Sequence, residues 1–545
     1  MSVVTPTILS DGEEMDPAFS LLSIDVSKEV NRIPDAQLTL LDGNAATREF
    51  PVSDSAIFEP GKEIEIKLRY EGESDVTVFK GRVVRQGIQA GDEGSILMLE
   101  IKDAAIKLTH PRHSAVFRDL TDGDVIGRLI EDAGLTKGDM ATTEPQHAEL
   151  VQYYSSDWDF MLARADILGL LVVVDDGAVT VKQVDLSGEA SHSFEFGISE
   201  IFDFEFELDA AHQHPAVESI AWDIENQQLT EASTAEDFSL SQGNLDGASL
   251  AEGMGFEACV LSHPVPLAPG ELQSWANARM TRSRMALIRG RLSVRGDGAI
   301  KPLDIIELAG VGERFNGNAL VTGVRHRVDD QGWRTDIQFG LSPEWFSRQP
   351  DIQAVTAAGL LPAASGLQIG VVDAFEEDPD EQLRVRVALP TIGAEDAFVW
   401  ARLVSPDAGA GRGFFFRPET GDEVVVGFFN NDPRQAVVLG AMYSSANAAP
   451  EDFAELSEDN LNKGIVTKNG TKICFVDNDK ASVFIETAQS NKMLLDDEAE
   501  SIQIVDQHGN TITLDSNGVE IKSSSDFKVD ASGNVEIKGQ QVDIK

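Results

Sequence analysis

Histidine, cysteine and carboxylate side chains are the raw material of metal and catalytic sites. In this sequence they are sparse and poorly spaced for either. His110-Pro-Arg-His113 and His212-Gln-His214 each bring two imidazoles together, but no cysteine lies nearby and no third ligand follows at zinc-site spacing. They read as surface or packing histidines. Asp477-Asn-Asp479 opens like a calcium loop, yet Ser482 stands where the loop requires Gly and Ala488 where it requires a bidentate Glu. Gly409-Ala-Gly-Arg-Gly413 is glycine-rich but sits between strand-like segments. A phosphate cradle would open a helix. No His-Glu-x-x-His, Walker loop or Gly-x-Ser-x-Gly elbow occurs. The sequence thus predicts no enzyme, no cofactor site and no metal site.

Function must then rest on shape, and one stretch dominates the shape. From Gly470 to Lys545 the chain reads GTKICFV, ASVFIET, NKMLLDD, SIQIVD, NTITLDS, GVEIKSS, DFKVDA, NVEIKG, QVDIK. Each piece alternates apolar and polar residues, the pattern of a half-buried strand. The apolar markers Ile504, Ile512, Ile521, Val529, Ile537 and Ile544 recur at near-constant intervals, with Gly, Asn, Asp and Ser turn formers between them. Such a meander has one apolar face and no following helix to cover it. It either coils into a single-chain solenoid, forms a small β-domain, or buries its face against copies of itself. The constancy of strand and turn favours a homotrimer whose Ile and Val side chains share a three-fold axis. A rod of laddered strands without long loops is stiff, as a needle must be.

The totals set further bounds. The chain has 545 residues, room for three or four domains, with 42% hydrophobic and 25% charged residues. The net charge of −48 argues against nucleic acid, whose binding rests on cations neutralising phosphates. It also argues against docking on an anionic membrane. Cys259 and Cys474 lie too far apart for a disulfide framework and fit a reducing compartment. The N-terminus lacks a basic region followed by an apolar core, so no signal peptide is expected, and no apolar run is long enough to span a bilayer. The expectation is a protein made in a reducing cytoplasm and, if it leaves, carried out by a machine.

In chain order, residues 1–346 read as two β-barrels with an α/β insertion around 120–190. Capping-box spacing at Thr121-Asp-Gly-Asp124 and Ser156-Asp-Trp-Asp159 opens two helices, and Asp176-Gly177 is the turn of a hairpin. Residues 225–255 read as a polar loop, and 271–288 as a third helix. Residues 347–366 read as a linker. Five strands in 367–446 suit an OB-type barrel. Residues 447–469 are a second linker, and 470–545 the needle. The acidic run Glu376-Glu-Asp-Pro-Asp-Glu381 reads as a solvated loop, open to a basic partner.

Three motifs resemble the VgrG spike proteins of contractile injection systems. Arg417-Pro-Glu-Thr-Gly-Asp-Glu-Val-Val-Val-Gly-Phe428 and Asn431-Asp-Pro-Arg-Gln-Ala-Val-Val-Leu-Gly-Ala-Met-Tyr443 look like the family's OB signature. Ala436 stands in place of a usual proline, and Tyr443-Ser444 in place of Tyr-Asn. Gln152-Tyr-Tyr-Ser-Ser-Asp-Trp-Asp-Phe160 resembles the helix motif of the tail-hub part. The resemblance spans the chain and implies a mainly β fold with a minor α+β part: tail-hub-like β-barrels, an OB-fold barrel and a C-terminal trimeric β-prism. It implies a homotrimeric, non-enzymatic spike with a PAAR-type protein on its tip, inner-tube and baseplate proteins behind it, and effector cargo. It implies neither nucleic-acid binding nor stable membrane insertion. Axis-facing roles fall to Ile504, Ile512, Leu514, Ile521, Val529, Ile537 and Ile544. The OB signature falls to Gly421, Asp422, Glu423 and Phe428.

Only about 25 residues separate Tyr443 from Lys468, too few for an inserted catalytic domain. A second reading treats the chain as a trimeric fibre or adhesin. It would bind a surface glycan on an aromatic platform of Phe414, Phe415, Phe416 and Trp400 on the OB barrel.

Overall fold

A computed structural model describes residues 3–92, 94–350, 352–392 and 397–545. The chain divides into two compact units, Met1–Ala354 and Val355–Lys545.

In the first unit the expected barrels are not separate. Alternating strands from both halves join in one 13-stranded sheet. The seam is the pairing of Leu21–Glu29 with Gly317–Asp329, which sets Val26 opposite His326. The period-2 pattern makes two buried cores on this sheet. One gathers Phe58, Ile64, Ile66, Phe79, Leu97 and Leu99, and the other Leu292, Ile306, Val321, Ile337 and Phe339. Sequence alternation specifies which face of a strand is buried but not which strand lies at its edge, so the merging of the two halves was not legible.

The insertion forms where caps and turns place it. Helix α1 (Asp122–Asp132) starts at a complete capping box: Asp124 N–H donates to Thr121 Oγ1, and Asp124 Oδ2 accepts from Thr121 N–H. Helix α2 (Asp157–Ile167) has half of that device, Asp159 N–H donating to Ser156 Oγ at 3.1 Å. Behind them, strands Leu170–Asp175 and Ala178–Gln183 are joined by Asp176 and Gly177, both with positive φ, as a type I′ hairpin turn requires. Ile126, Ile130, Trp158, Met161, Leu162, Val172 and Val181 form the core between helices and hairpin.

Residues 225–255, expected as a loop, contain the short strands Gln228–Leu229 and Ser233–Thr234 and helix α3 (Gly247–Gly253). Asp246 caps α3 by accepting the Ser249 N–H at 2.7 Å. Helix α4 covers Pro269–Met285. The linker expected at 347–366 contains two 3-10 turns and the division between the units; its residue 351 lies outside the described residues.

The second unit holds a closed five-stranded barrel: Gln368–Val372, Val385–Ala388, Phe398–Leu403, Ala436–Ala441 and Glu423–Phe428. Val372, Val387, Ala401, Val424, Val426 and Val438 fill it. A seven-stranded antiparallel meander follows. It begins earlier than expected, because Asn462–Val466, inside the supposed second linker, pairs with Lys472–Val476. It also ends earlier. Gly518–Lys522 is its last strand, and residues 523–545 carry no strand among the described residues. Val529, Ile537 and Ile544, expected in strands, therefore have no ladder within one chain. Strands this short hold only when paired, and among the described residues no segment of the same chain pairs with them.

Candidate functional site: an apolar face on the needle

Each needle strand is five residues long, and from the second strand on, positions two and four are apolar: Ile473 and Phe475, Val483 and Ile485, Met493 and Leu495, Ile502 and Ile504, Ile512 and Leu514, Val519 and Ile521. Positions two apart share a face. The register then stacks them. Ile465, Ile473, Ile485, Met493, Ile504, Ile512 and Ile521 lie opposite one another in turn, strand after strand. Phe475, Val483, Leu495, Ile502, Leu514 and Val519 form a second row beside them. This face is not buried within one chain: Ile504 is 45% exposed and Ile521 55%. An apolar surface this continuous is rare on a monomer.

The opposite face carries one central row, Cys474, Phe484, Leu494, Gln503, Thr513 and Glu520. It grades from apolar to polar along the chain. Lys492 holds its ammonium 4.6 Å from the Phe484 ring centroid, covering the aromatic with an aliphatic stem and a cation. Asn side chains tie the turns together. Asn491 Oδ1 accepts the Gln507 N–H at 3.2 Å, and Asn510 Oδ1 accepts the Ser524 N–H at 2.8 Å. Sequence reasoning missed these clamps, although the recurrence of Asn just before a strand was their visible sign.

The other predicted residues separate from this face. Ile504, Ile512, Leu514 and Ile521 stand in the two rows, whereas Val529, Ile537 and Ile544 do not. Gly421 closes a turn in the OB barrel at φ +93°, a conformation that only glycine adopts freely. Its N–H donates to Val372 O, and the next residue, Asp422, accepts the Glu419 N–H at 2.8 Å. Glu423 then pairs with Val371, and Phe428 packs half-buried on the barrel core. Asp477 forms an ion pair with Lys463 at 3.0 Å. His113 lies 3.3 Å from Asp157, and His212 2.7 Å from Asp209. Among the described residues no group of three potential metal ligands comes together.

The acidic run finds its basic partners within the chain. Arg384 holds Asp378 and Asp380, and Arg386 holds Asp373 and Glu376. Of the aromatic residues, Phe414, Phe415 and Phe416 are exposed, while Trp400 is half-buried with the Arg384 guanidinium 5.9 Å from its ring centroid.

Family models match along the chain. The Alg8 N-terminal domain model matches residues 1–330, over half of the chain. The type VI secretion system/phage-baseplate injector OB domain matches 368–443, and the phage baseplate V C-terminal trimerisation domain matches 482–545. The chain belongs to the VgrG-like spike proteins, with an Alg8-type N-terminal domain. Among curated VgrG proteins, the actin cross-linking toxin VgrG1 of Vibrio cholerae is 23% identical over 429 residues, covering 72% of this chain. This VgrG-like chain spans 37% of that toxin's length. The type VI secretion system spike protein VgrG3 of Vibrio cholerae is 35% identical over 71 residues, 12% of this chain and 7% of VgrG3. Among solved structures, a tail protein of Neisseria meningitidis aligns with TM-score 0.46 and 13% identity over 63% of this chain and 98% of its own. A chain of the Francisella PdpA-VgrG complex aligns with TM-score 0.42 and 8% identity over 96% of this chain and 88% of its own. No helix among the described residues is long and apolar enough to cross a membrane.

Proposed function

We propose that this VgrG-like chain is a homotrimeric, non-enzymatic spike at the tip of a contractile injection system. The hub joins the inner tube, and the needle carries a PAAR-type tip protein. Contraction of a sheath drives the needle through the target envelope, and the particle takes effector cargo with it. Assembly in the cytoplasm fits this route.

The observation that carries the reading is the double apolar row on the exposed needle face, in a region matched by a trimerisation family model. Three such faces turned toward one axis hide what one chain leaves wet, and the burial of apolar surface drives the association. The matched domains are structural ones, which supports a mechanical and not a catalytic role. The net charge of −48 does not oppose crossing a membrane, because the crossing is driven by force and is not a binding equilibrium.

Multi-angle light scattering of the purified protein tests the stoichiometry: a trimer near three times 59.0 kDa is expected. Deletion of residues 470–545 tests the mechanics. Particles that assemble and fire normally without them overturn the reading.

The exposed Phe414, Phe415 and Phe416 favour one alternative, a trimeric fibre that binds a surface glycan through the OB barrel. A glycan array separates the two, since the spike reading expects no specific glycan.

A further inference from the structure

The OB barrel bears two apolar patches that its own core does not use. The first is the run Phe414, Phe415 and Phe416, exposed by 56%, 69% and 64%. It follows the small hairpin Ala408–Gly409 and Arg412–Gly413, which Arg412 and Asp407 pin by an ion pair. Arg417 extends the patch. Its guanidinium lies 5.3 Å from the Phe415 ring centroid and 5.5 Å from that of Phe375, itself exposed, so the cation bridges two aromatic faces. The second patch is on the outer wall of the barrel. Leu367 and Leu439 flank Gly427 closely enough that a Cβ there would touch both, at 3.5 and 3.7 Å, and Ile369 follows Leu367 on the same face. These three are also largely exposed.

We infer that the Phe414–Phe416 segment of one copy seats on the Leu367, Ile369 and Leu439 wall of a second copy of this chain. The inference rests on the trimeric reading above and extends it from the needle to the OB barrel. Around a three-fold axis every interface is heterologous, so each copy must offer two different surfaces that fit each other. A single self-complementary patch serves a two-fold dimer and cannot close a ring of three. The barrel supplies two patches of matching chemistry, one protruding and aromatic, one a glycine-floored aliphatic wall.

Continuity with the self-associating needle selects a second copy as the occupant. Arg417 is two residues from Glu419, and Glu419 binds Lys468 Nζ at 3.2 Å, in the turn between the first two needle strands. The aromatic patch is thereby tied to the base of the element that brings copies together. The same contact explains why three consecutive phenylalanines persist on a soluble surface: they are covered in the assembly.

Cysteine cross-linking in the full-length protein tests this. Phe415→Cys combined with Leu439→Cys is expected to give, on mild oxidation, a ladder ending in a covalent trimer on non-reducing gels. Each single variant, which retains Cys259 and Cys474, gives none. Light scattering on the same samples separates the two layers of the argument. A monomer overturns this contact together with the trimeric reading. A trimer that does not cross-link in the double variant overturns this contact alone. Because a cysteine at either position could perturb packing, Phe415→Ala provides a second readout. It is expected to leave the needle trimer intact while raising deuterium uptake at residues 367–369, and unchanged uptake there counts against the contact.

Discussion

Ile504 lies directly opposite Ile512 across neighbouring needle strands, and both side chains reach solvent within a single chain. The pair lies within the continuous cross-strand row from Ile465 to Ile521, a row left exposed within one chain. In the trimer proposed here, Ile512→Asp brings three carboxylates toward one axis without counter-ions. Uncompensated buried charge costs about 3–5 kcal/mol per site, so this variant is expected to fall apart to monomers, while Ile512→Val stays trimeric. Sedimentation velocity reads the outcome. An Ile512→Asp protein that remains a trimer with an unchanged melting curve removes the residue from the axis.

A second prediction concerns the helices of the first unit. Asp122, fully buried at the start of α1, receives Arg164 Nε at 2.6 Å and Nη2 at 3.1 Å, and lies 2.8 Å from His147 Nε2. Arg164 also reaches Glu271 of α4 at 3.1 Å, so the cluster ties α1, α2 and α4 together. Burial pushes the Asp122 carboxyl pKa up, but the hydrogen bonds and charge of Arg164, helped by His147, hold it below the ordinary value. A depressed carboxylate contributes stability above its unfolded pKa of about 4 and loses it as pH falls through the folded value. Asp122→Asn is expected to cost about 3–5 kcal/mol at pH 7, because it removes the nearer carboxylate partner of the half-buried Arg164 guanidinium and leaves it Glu271 alone. The difference from the parent should shrink in urea titrations run below pH 4.

How much of this was legible beforehand depends on sequence distance. The Thr121 box, the Asp176-Gly177 hairpin and the five barrel strands each rest on residues within a few positions of one another, and each formed. The Asp122 cluster draws on residues 122, 147, 164 and 271, and no local pattern links them. The shared sheet fails to show for the same reason, since strand 21–29 meets strand 317–329. Asn462–Val466 was missed because Asn462, Lys463 and Gly464 dilute its alternation before Ile465 and Val466 complete it. Beyond Lys522 no strand forms within one chain among the described residues. The alternation there is real, but alternation supplies a face and not a pairing partner.

His326 yields a pH prediction of its own. It sits at the seam of the large sheet, with Nδ1 3.0 Å from Thr335 Oγ1 and the ring 5.9 Å from that of Trp333. Burial lowers its pKa to about 4, with the nearby Lys28 charge adding to the shift and Asp297 and Asp336 opposing it. The folded state therefore resists protonation that the unfolded chain accepts near pH 6.5, so stability present above pH 6.5 is lost as pH falls toward 4. At one to two kcal/mol per unit, the loss by pH 5 is about 2 kcal/mol. His326→Gln should flatten that part of the profile, measured by urea unfolding at pH 7 and pH 5. A parent and variant that lose stability equally over this range contradict the assignment.

The last prediction concerns the acidic loop of the OB barrel. Arg384 donates from Nε and Nη2 to Asp378, and Nη2 also reaches Asp380 at 2.6 Å. The Asp378 carboxylate accepts three backbone N–H groups as well, from Asp380, Gln382 and Arg384. Hydrogen bonding to Arg384 is the chief reason its pKa lies far below the ordinary carboxylate range. One side chain thus organises the loop, and the arginine holds that side chain in place. In Arg384→Ala the backbone bonds remain but the anchor is gone. Limited proteolysis between residues 376 and 383 is then expected to quicken several-fold, with the barrel itself still protected. Molar salt should weaken mainly the Arg384–Asp380 pair, whose carboxylate is exposed, and so move the parent only part of the way toward the variant. Acid should do so only well below pH 4, since the depressed carboxylate keeps its charge until the pH nears its folded pKa. Cleavage rates that are identical in parent and variant at low salt refute the anchoring role.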